Sequence, residues 1–110
     1  MAINYDGRVF RGETNSENGE VGGRTVFFYR QQGQRLEAAY RGGAVVHGHL
    51  LGLVNDDDTL DFVYHHLNDR GETMAGQCHS VPERAADGRI LLHESWRWLT
   101  GDRSSGESIV

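Results

Sequence analysis

Apolar and polar residues alternate with a period of two through most of this chain. In "ILLHESWRW", residues 90–98, every second position reads Ile90, Leu92, Glu94, Trp96, Trp98. Residues 60–66 repeat the pattern with Leu60, Phe62, Tyr64 and His66, and residues 74–80 with Met74, Gly76, Cys78 and Ser80. A two-residue period puts each set on one face of a β-strand. Turn chemistry separates the segments: "QQGQ" (31–34), "RGGA" (41–44), "NDDD" (55–58), "NDRGE" (68–72), "AADGR" (85–89) and "TGDRSSG" (100–106). The spacing predicts strands over 3–11, 24–31, 34–41, 45–54, 59–68, 72–82, 89–99 and 105–110. No segment sustains a 3.6-residue period between caps, so little or no helix is expected. Consecutive hairpins must hide their two outer edges, and closure does so. The expected fold is all-β, a single domain over 1–110, built as one antiparallel up-and-down β-barrel of about eight strands, lipocalin-like. A two-sheet sandwich is the alternative.

Hairpin geometry carries the inward face from strand to strand. "NDRG" fits a type I turn followed by a left-handed Gly71, which pairs Asn68 with Glu72. A three-residue loop at 86–88 then sets Gly76 against Trp98, Cys78 against Trp96 and Ser80 against Glu94. In strand 45–54 the even face is Val46, Gly48, Leu50 and Gly52. Phe27 and Tyr29 point inward opposite Leu36 and Ala38, and Tyr40 shares that face. The interior is therefore apolar with polar tips. Phe28, Leu51, Leu53 and Leu91 fall outside, which leaves an apolar outer face and suggests a homodimer or another partner protein. One connection is out of proportion: "GETNSENGEVGG", residues 12–23, is long and acidic. It is expected either to lie across an open end of the barrel or to be a loose surface loop.

Charge and composition narrow the chemistry. The net charge of −5, with eleven arginines scattered singly and no lysine, excludes a clustered basic surface for nucleic acid. It also excludes any lysine-based Schiff base. No apolar run approaches the ~20 residues needed to span a bilayer. The segment "MAINYDGRVF" reads as neither signal peptide nor anchor, so a cytoplasmic protein without membrane contact is expected. One cysteine, Cys78, permits no internal disulfide and no cysteine-based zinc site, and it reads as a small buried hydrophobe.

Glu94 is the conspicuous residue, a carboxylate in the middle of an apolar face. Burial raises a carboxyl pKa and demands hydrogen-bond partners, for which Ser80, a tyrosine, His66 or an arginine are the candidates. Glu94 then serves as a structural hub, as a polar anchor for a ligand, or as a general base beside His66. The expected ligand-binding set is Glu94, His66, Tyr64, Trp96, Tyr40, Tyr29, Phe62, Ser80 and Cys78, with no catalytic residue assigned. His47, His49, His65, His79 and His93 share odd parity and face outward. They form no "HExxH" motif and offer no defined third ligand, so no metal is expected. "DDD" at 56–58 lacks the spacing of a calcium loop and reads as a solvated turn. Phosphate-binding glycine loops and a nucleophile elbow are absent, and no cofactor is expected.

The segments "NSENGEV", "GGAVVHGHLLGLV", "YHHLNDRGETMAGQC" and "GRILLHESWRWLTGDRSSGESIV" together resemble a family of small bacterial proteins of about this length. Some of its members carry the label N-acetylglutamate synthase. The resemblance implies a small β-barrel and transfers no catalytic residues. Three functions follow. The first is a barrel that binds a small amphipathic molecule, with Trp96, Trp98, Phe62 and Tyr64 as apolar walls. The second is an enzyme, using acid–base chemistry at Glu94 or the labelled acetyl transfer. For acetyl transfer the chain lacks a glycine-rich loop opening a helix to hold acetyl-CoA. The third is a homodimeric structural module with no small ligand.

Overall fold

The computed structural model describes residues 2–110 and contains nine strands and no helix among them. They are β1 (Val9–Arg11), β2 (Thr14–Asn15), β3 (Val26–Gln32), β4 (Arg35–Gly42), β5 (Val45–Val54), β6 (Leu60–Asn68), β7 (Thr73–Arg84), β8 (Ile90–Trp98) and β9 (Ser105–Ile109). All pairings are antiparallel, in the order β1-β3-β4-β5-β6-β7-β8-β9-β2. The two outermost strands, β1 and β2, are consecutive in the chain. Between them the Gly12 N–H donates to Thr25 O (3.0 Å) and the Glu13 N–H to Ile109 O (2.7 Å). Residues 9–15 thus form one bent strand whose first half pairs with β3 and whose second half pairs with β9. The sheet curls into an up-and-down barrel whose two ends are joined through this bent strand. Glycine is required at the bend, because a Cβ on Gly12 would lie 2.0 Å from Gly22 O.

The register through β6, β7 and β8 follows the alternation read from the sequence. The Asn68 N–H donates to Glu72 O, and Gly71 is left-handed at φ 78°. Gly76 pairs with Trp98, Cys78 with Trp96 and Ser80 with Glu94. The ring filling the space above Gly76 is nevertheless that of Tyr64: a Cβ there would sit 2.3 Å from the Tyr64 hydroxyl. Trp96 leans instead over its other cross-strand neighbour, Gly106. In β3 and β4, Tyr29 pairs with Ala38 as expected, while Phe27 lies opposite Tyr40 and stacks on it at 5.0 Å.

Two expectations are corrected. Val46 was assigned inward, yet it is 53% exposed and Val45 is buried. The pairing of β5 with β6 shifts between Val45 and His47, so one extra residue reverses the face at that point and Gly48 and Leu50 resume the inward set. The first strand was expected to begin at residue 3, but residues 3–8 are not strand. A turn in which the Arg8 N–H donates to Tyr5 O, with Gly7 left-handed, folds this segment across one end of the barrel. Ile3 and Tyr5 are buried there. They are held by the "NDDD" turn: the Ile3 N–H donates to Asp58 Oδ1 (2.9 Å) and the Tyr5 hydroxyl to Asp58 O (2.7 Å). Apolar Leu36, Leu60 and Leu92, fully buried, complete that sealed end.

Candidate functional site

The other end of the barrel is built from rings. Tyr40, His66, Tyr64, Trp96 and Trp98 project inward from three strands, β4, β6 and β8, with ring-centroid separations of 5.5 Å for Trp96–Trp98 and 5.7 Å for both Tyr64–Trp98 and His66–Trp98. Gly48, Gly76 and Gly106 supply the room, since a Cβ at each would lie within 2.5 Å of one of these rings or its hydroxyl. A small cavity remains below the rings, bordered by Phe27, Leu50, Phe62, Cys78, Glu94 and Ser108. Its free volume is about 30 Å³, room for roughly one or two waters.

The long acidic loop closes this end. The Trp96 Nε1–H donates to Asn15 Oδ1 (3.0 Å) and the Trp98 Nε1–H to Asn18 O (3.0 Å). Asn18 Nδ2 donates in turn to Ser104 Oγ and Ser105 O, and Val21 packs against the core. Glu20 reaches over the rim. Its Oε1 accepts from His66 Nε2 (2.8 Å), and its Oε2 accepts from Asn68 Nδ2 (3.1 Å) and Arg70 Nη2 (2.7 Å). A carboxylate only accepts, so Nε2 donates to Glu20; in the neutral imidazole Nδ1 accepts from the Tyr40 hydroxyl (2.8 Å). The loop therefore lies across the open end, and polar contacts fasten it there.

Glu94 lies on the cavity floor, buried, with two hydroxyl donors: Ser80 Oγ to Oε2 (2.9 Å) and Ser108 Oγ to Oε1 (3.1 Å). No cation reaches it among the described residues, so desolvation outweighs both hydrogen bonds and raises its pKa from an ordinary 4.5 to about 6. The expected Glu94–His66 acid–base pair is not formed, because His66 is engaged by Tyr40 and Glu20 instead. Burial also pushes up the Tyr29, Tyr40 and Tyr64 hydroxyls and the Cys78 thiol, with Glu94 adding to each.

Of the sequence-expected set, Glu94, His66, Tyr64, Trp96, Tyr40, Phe62 and Cys78 border one cavity. Ser80 and Tyr29 do not. Ser80 acts through Glu94. Tyr29 lies a layer lower against Phe10 (4.7 Å), its hydroxyl without a hydrogen bond among the described residues. Missed were Asn15, Gly19, Glu20, Val21 and Ser108, all bordering the cavity. Only the length and acidity of the loop hinted at the first four, and Ser108 lies on β9. The outward histidines are solvated or paired singly, His79 with Asp61 and His93 with Glu83, each at 2.7 Å. No group of three His, Cys, Asp or Glu capable of holding a metal occurs among the described residues.

No curated protein and no solved structure matches the chain. One family does, over residues 3–110 of 110, and its description, Avidin-like protein, names no acetyltransferase. A match over nearly the whole length, joined to a closed antiparallel barrel with a ring-lined end, shows that this chain belongs to the avidin-like protein family.

Proposed function

We propose that this protein is a small-ligand-binding barrel, and that its ligand enters where residues 16–22 now lie. The observation that carries this reading is the difference between the two ends. One is sealed by buried Ile3, Tyr5, Leu36, Leu60 and Leu92. The other is covered by a loop held through hydrogen bonds, which water can replace at small net cost. Beneath that loop stand the two tryptophans, Tyr64 and Phe62 as apolar walls, with Glu94 as a polar floor. Such a combination of apolar lining and a few convergent polar groups is characteristic of small-molecule sites. The existing cavity takes water only, so ligand binding and displacement of the loop are one event. Glu94 supplies an acceptor to an N–H or O–H at the buried tip of an amphipathic molecule. Membership of the avidin-like family supports a binding barrel over a catalyst.

Tryptophan fluorescence tests the proposal, since both tryptophans bond to the loop. A panel of small amphipathic molecules, biotin included, should contain members that shift the emission saturably and raise the melting temperature. A panel that leaves both signals unchanged at millimolar concentration overturns the reading. A second reading rests on the outer face, where Leu51, Leu53 and Val63 are each about half exposed on adjacent β5 and β6. That face suits self-association, and a monomer in sedimentation at high concentration would count against it.

A further inference from the structure

The grip on Glu20 has the chemistry of a carboxylate receptor. Three donors from the β6 end and the turn after it converge on its two oxygens: His66 Nε2, Asn68 Nδ2 and Arg70 Nη2. His66 and Asn68 are almost wholly buried, and Tyr40 holds the imidazole in place from behind. Partners outside the loop hold each donor: Tyr40 holds His66, while Glu72 bonds both Asn68 and the exposed Arg70. Glu20 comes from a mostly polar loop, and it already borders the ring-lined cavity.

We propose that this cradle is the recognition site for the carboxylate of a small monocarboxylic acid, and that Glu20 is a tethered stand-in which the ligand displaces. The idea rests on the binding-barrel reading and names the ligand class for it. The acid's carboxylate takes the place of the Glu20 carboxylate on His66, Asn68 and Arg70, and its apolar body lies over the Trp98 and Tyr64 rings in the space the loop vacates. Charge selects for a single carboxylate. Arg70 is shared with Glu72 (3.0 Å) and Asp69 (3.9 Å), so exchanging one carboxylate for another leaves the local balance unchanged. A dicarboxylate or phosphate would bring an extra negative charge against Glu72 and Asp69. Because Glu20 competes from the same chain at an effective concentration of the order of millimolar, its removal should tighten ligand binding.

The test is rescue of Glu20→Ala by added anions at constant ionic strength, read by thermal melting and tryptophan fluorescence. Acetate should raise the melting temperature of Glu20→Ala, phosphate should not, and hexanoate should act at about tenfold lower concentration than acetate. Wild type should bind hexanoate about tenfold more weakly than Glu20→Ala. Should the alanine variant fail to fold, Glu20→Gln keeps the side-chain volume and should still bind hexanoate more tightly than wild type. Acetate acting no differently from chloride overturns the cradle, as does hexanol binding as well as hexanoate; hexanol binding would leave the barrel pocket standing. Rescue by acetate with no advantage for hexanoate keeps the cradle and overturns the pocket behind it.

Discussion

Replacing Glu94 by glutamine should stabilise this protein at neutral pH, although it removes a side chain held by two hydrogen bonds. In the folded state the carboxyl titrates near 6, against 4.5 ordinarily. A raised pKa means that the folded protein prefers the neutral acid. The stability due to the neutral group is fully present below about pH 4.5 and is lost as pH rises through 6. At about 1.36 kcal/mol per pH unit, the 1.5-unit gap is worth roughly 2 kcal/mol. Glutamine keeps the volume, stays neutral at every pH, and can use Ser80 and Ser108 as partners once one hydroxyl turns to accept. Urea unfolding of wild type and Glu94→Gln at pH 4.5, 5.5, 6.5 and 7.5 measures the effect. The variant should gain on wild type progressively across that interval, reaching about 2 kcal/mol by pH 7.5, with near equality at pH 4.5. Exposed carboxylates such as Asp61 and Asp87, held below their ordinary range by hydrogen bonds, titrate in both proteins and cancel in the difference. A stability difference that does not change with pH would refute desolvation as the dominant influence on Glu94.

Further outcomes follow from the packing. Gly76→Ala forces a Cβ to within 2.3 Å of the Tyr64 hydroxyl and 2.7 Å of Arg97 O; it should cost about 1–3 kcal/mol in urea unfolding. The two barrel ends should respond unequally. Tyr5→Ala should cost about 3 kcal/mol or more because it empties the sealed end, while Glu20→Ala should cost no more than about 1–2 kcal/mol because water can replace its contacts. Comparable losses would remove the asymmetry on which the proposed entry route depends. Cys78, buried and with its thiol pushed well above the ordinary range, should resist iodoacetamide at pH 8 until the protein unfolds or the loop is displaced.

Much of the barrel was legible because short-range chemistry fixes it. The "NDRG" turn sets the register of β6 on β7, and the loop at 86–88 sets β7 on β8; from those two turns the inward placement of Tyr64, Cys78, Trp96 and Glu94 follows by counting in twos. The errors lie where counting breaks. One bulged residue put Val45 inside in place of Val46. The turn at Gly7 diverted a segment with strand-like composition into a plug. The partners of the long loop were out of reach for a different reason: Glu20 meets His66 across 46 residues and Arg70 across 50, and Asn15 meets Trp96 across 81. Nothing periodic marks such contacts. Glu94's environment was half legible, with Ser80 visible as its cross-strand neighbour on β7 and Ser108 hidden on β9.

The most direct test of the binding reading uses the two indole N–H groups, one per tryptophan, each bonded to the loop at 3.0 Å. In a proton–nitrogen correlation spectrum of the labelled protein they give two separated signals. A ligand that enters under the loop should move both, together with the amides of residues 16–22, and leave those of Ile3 and Tyr5 at the sealed end in place. Ligands that leave both indole signals fixed while shifting Leu51 and Val63 would contradict the account and move the site to the outer face.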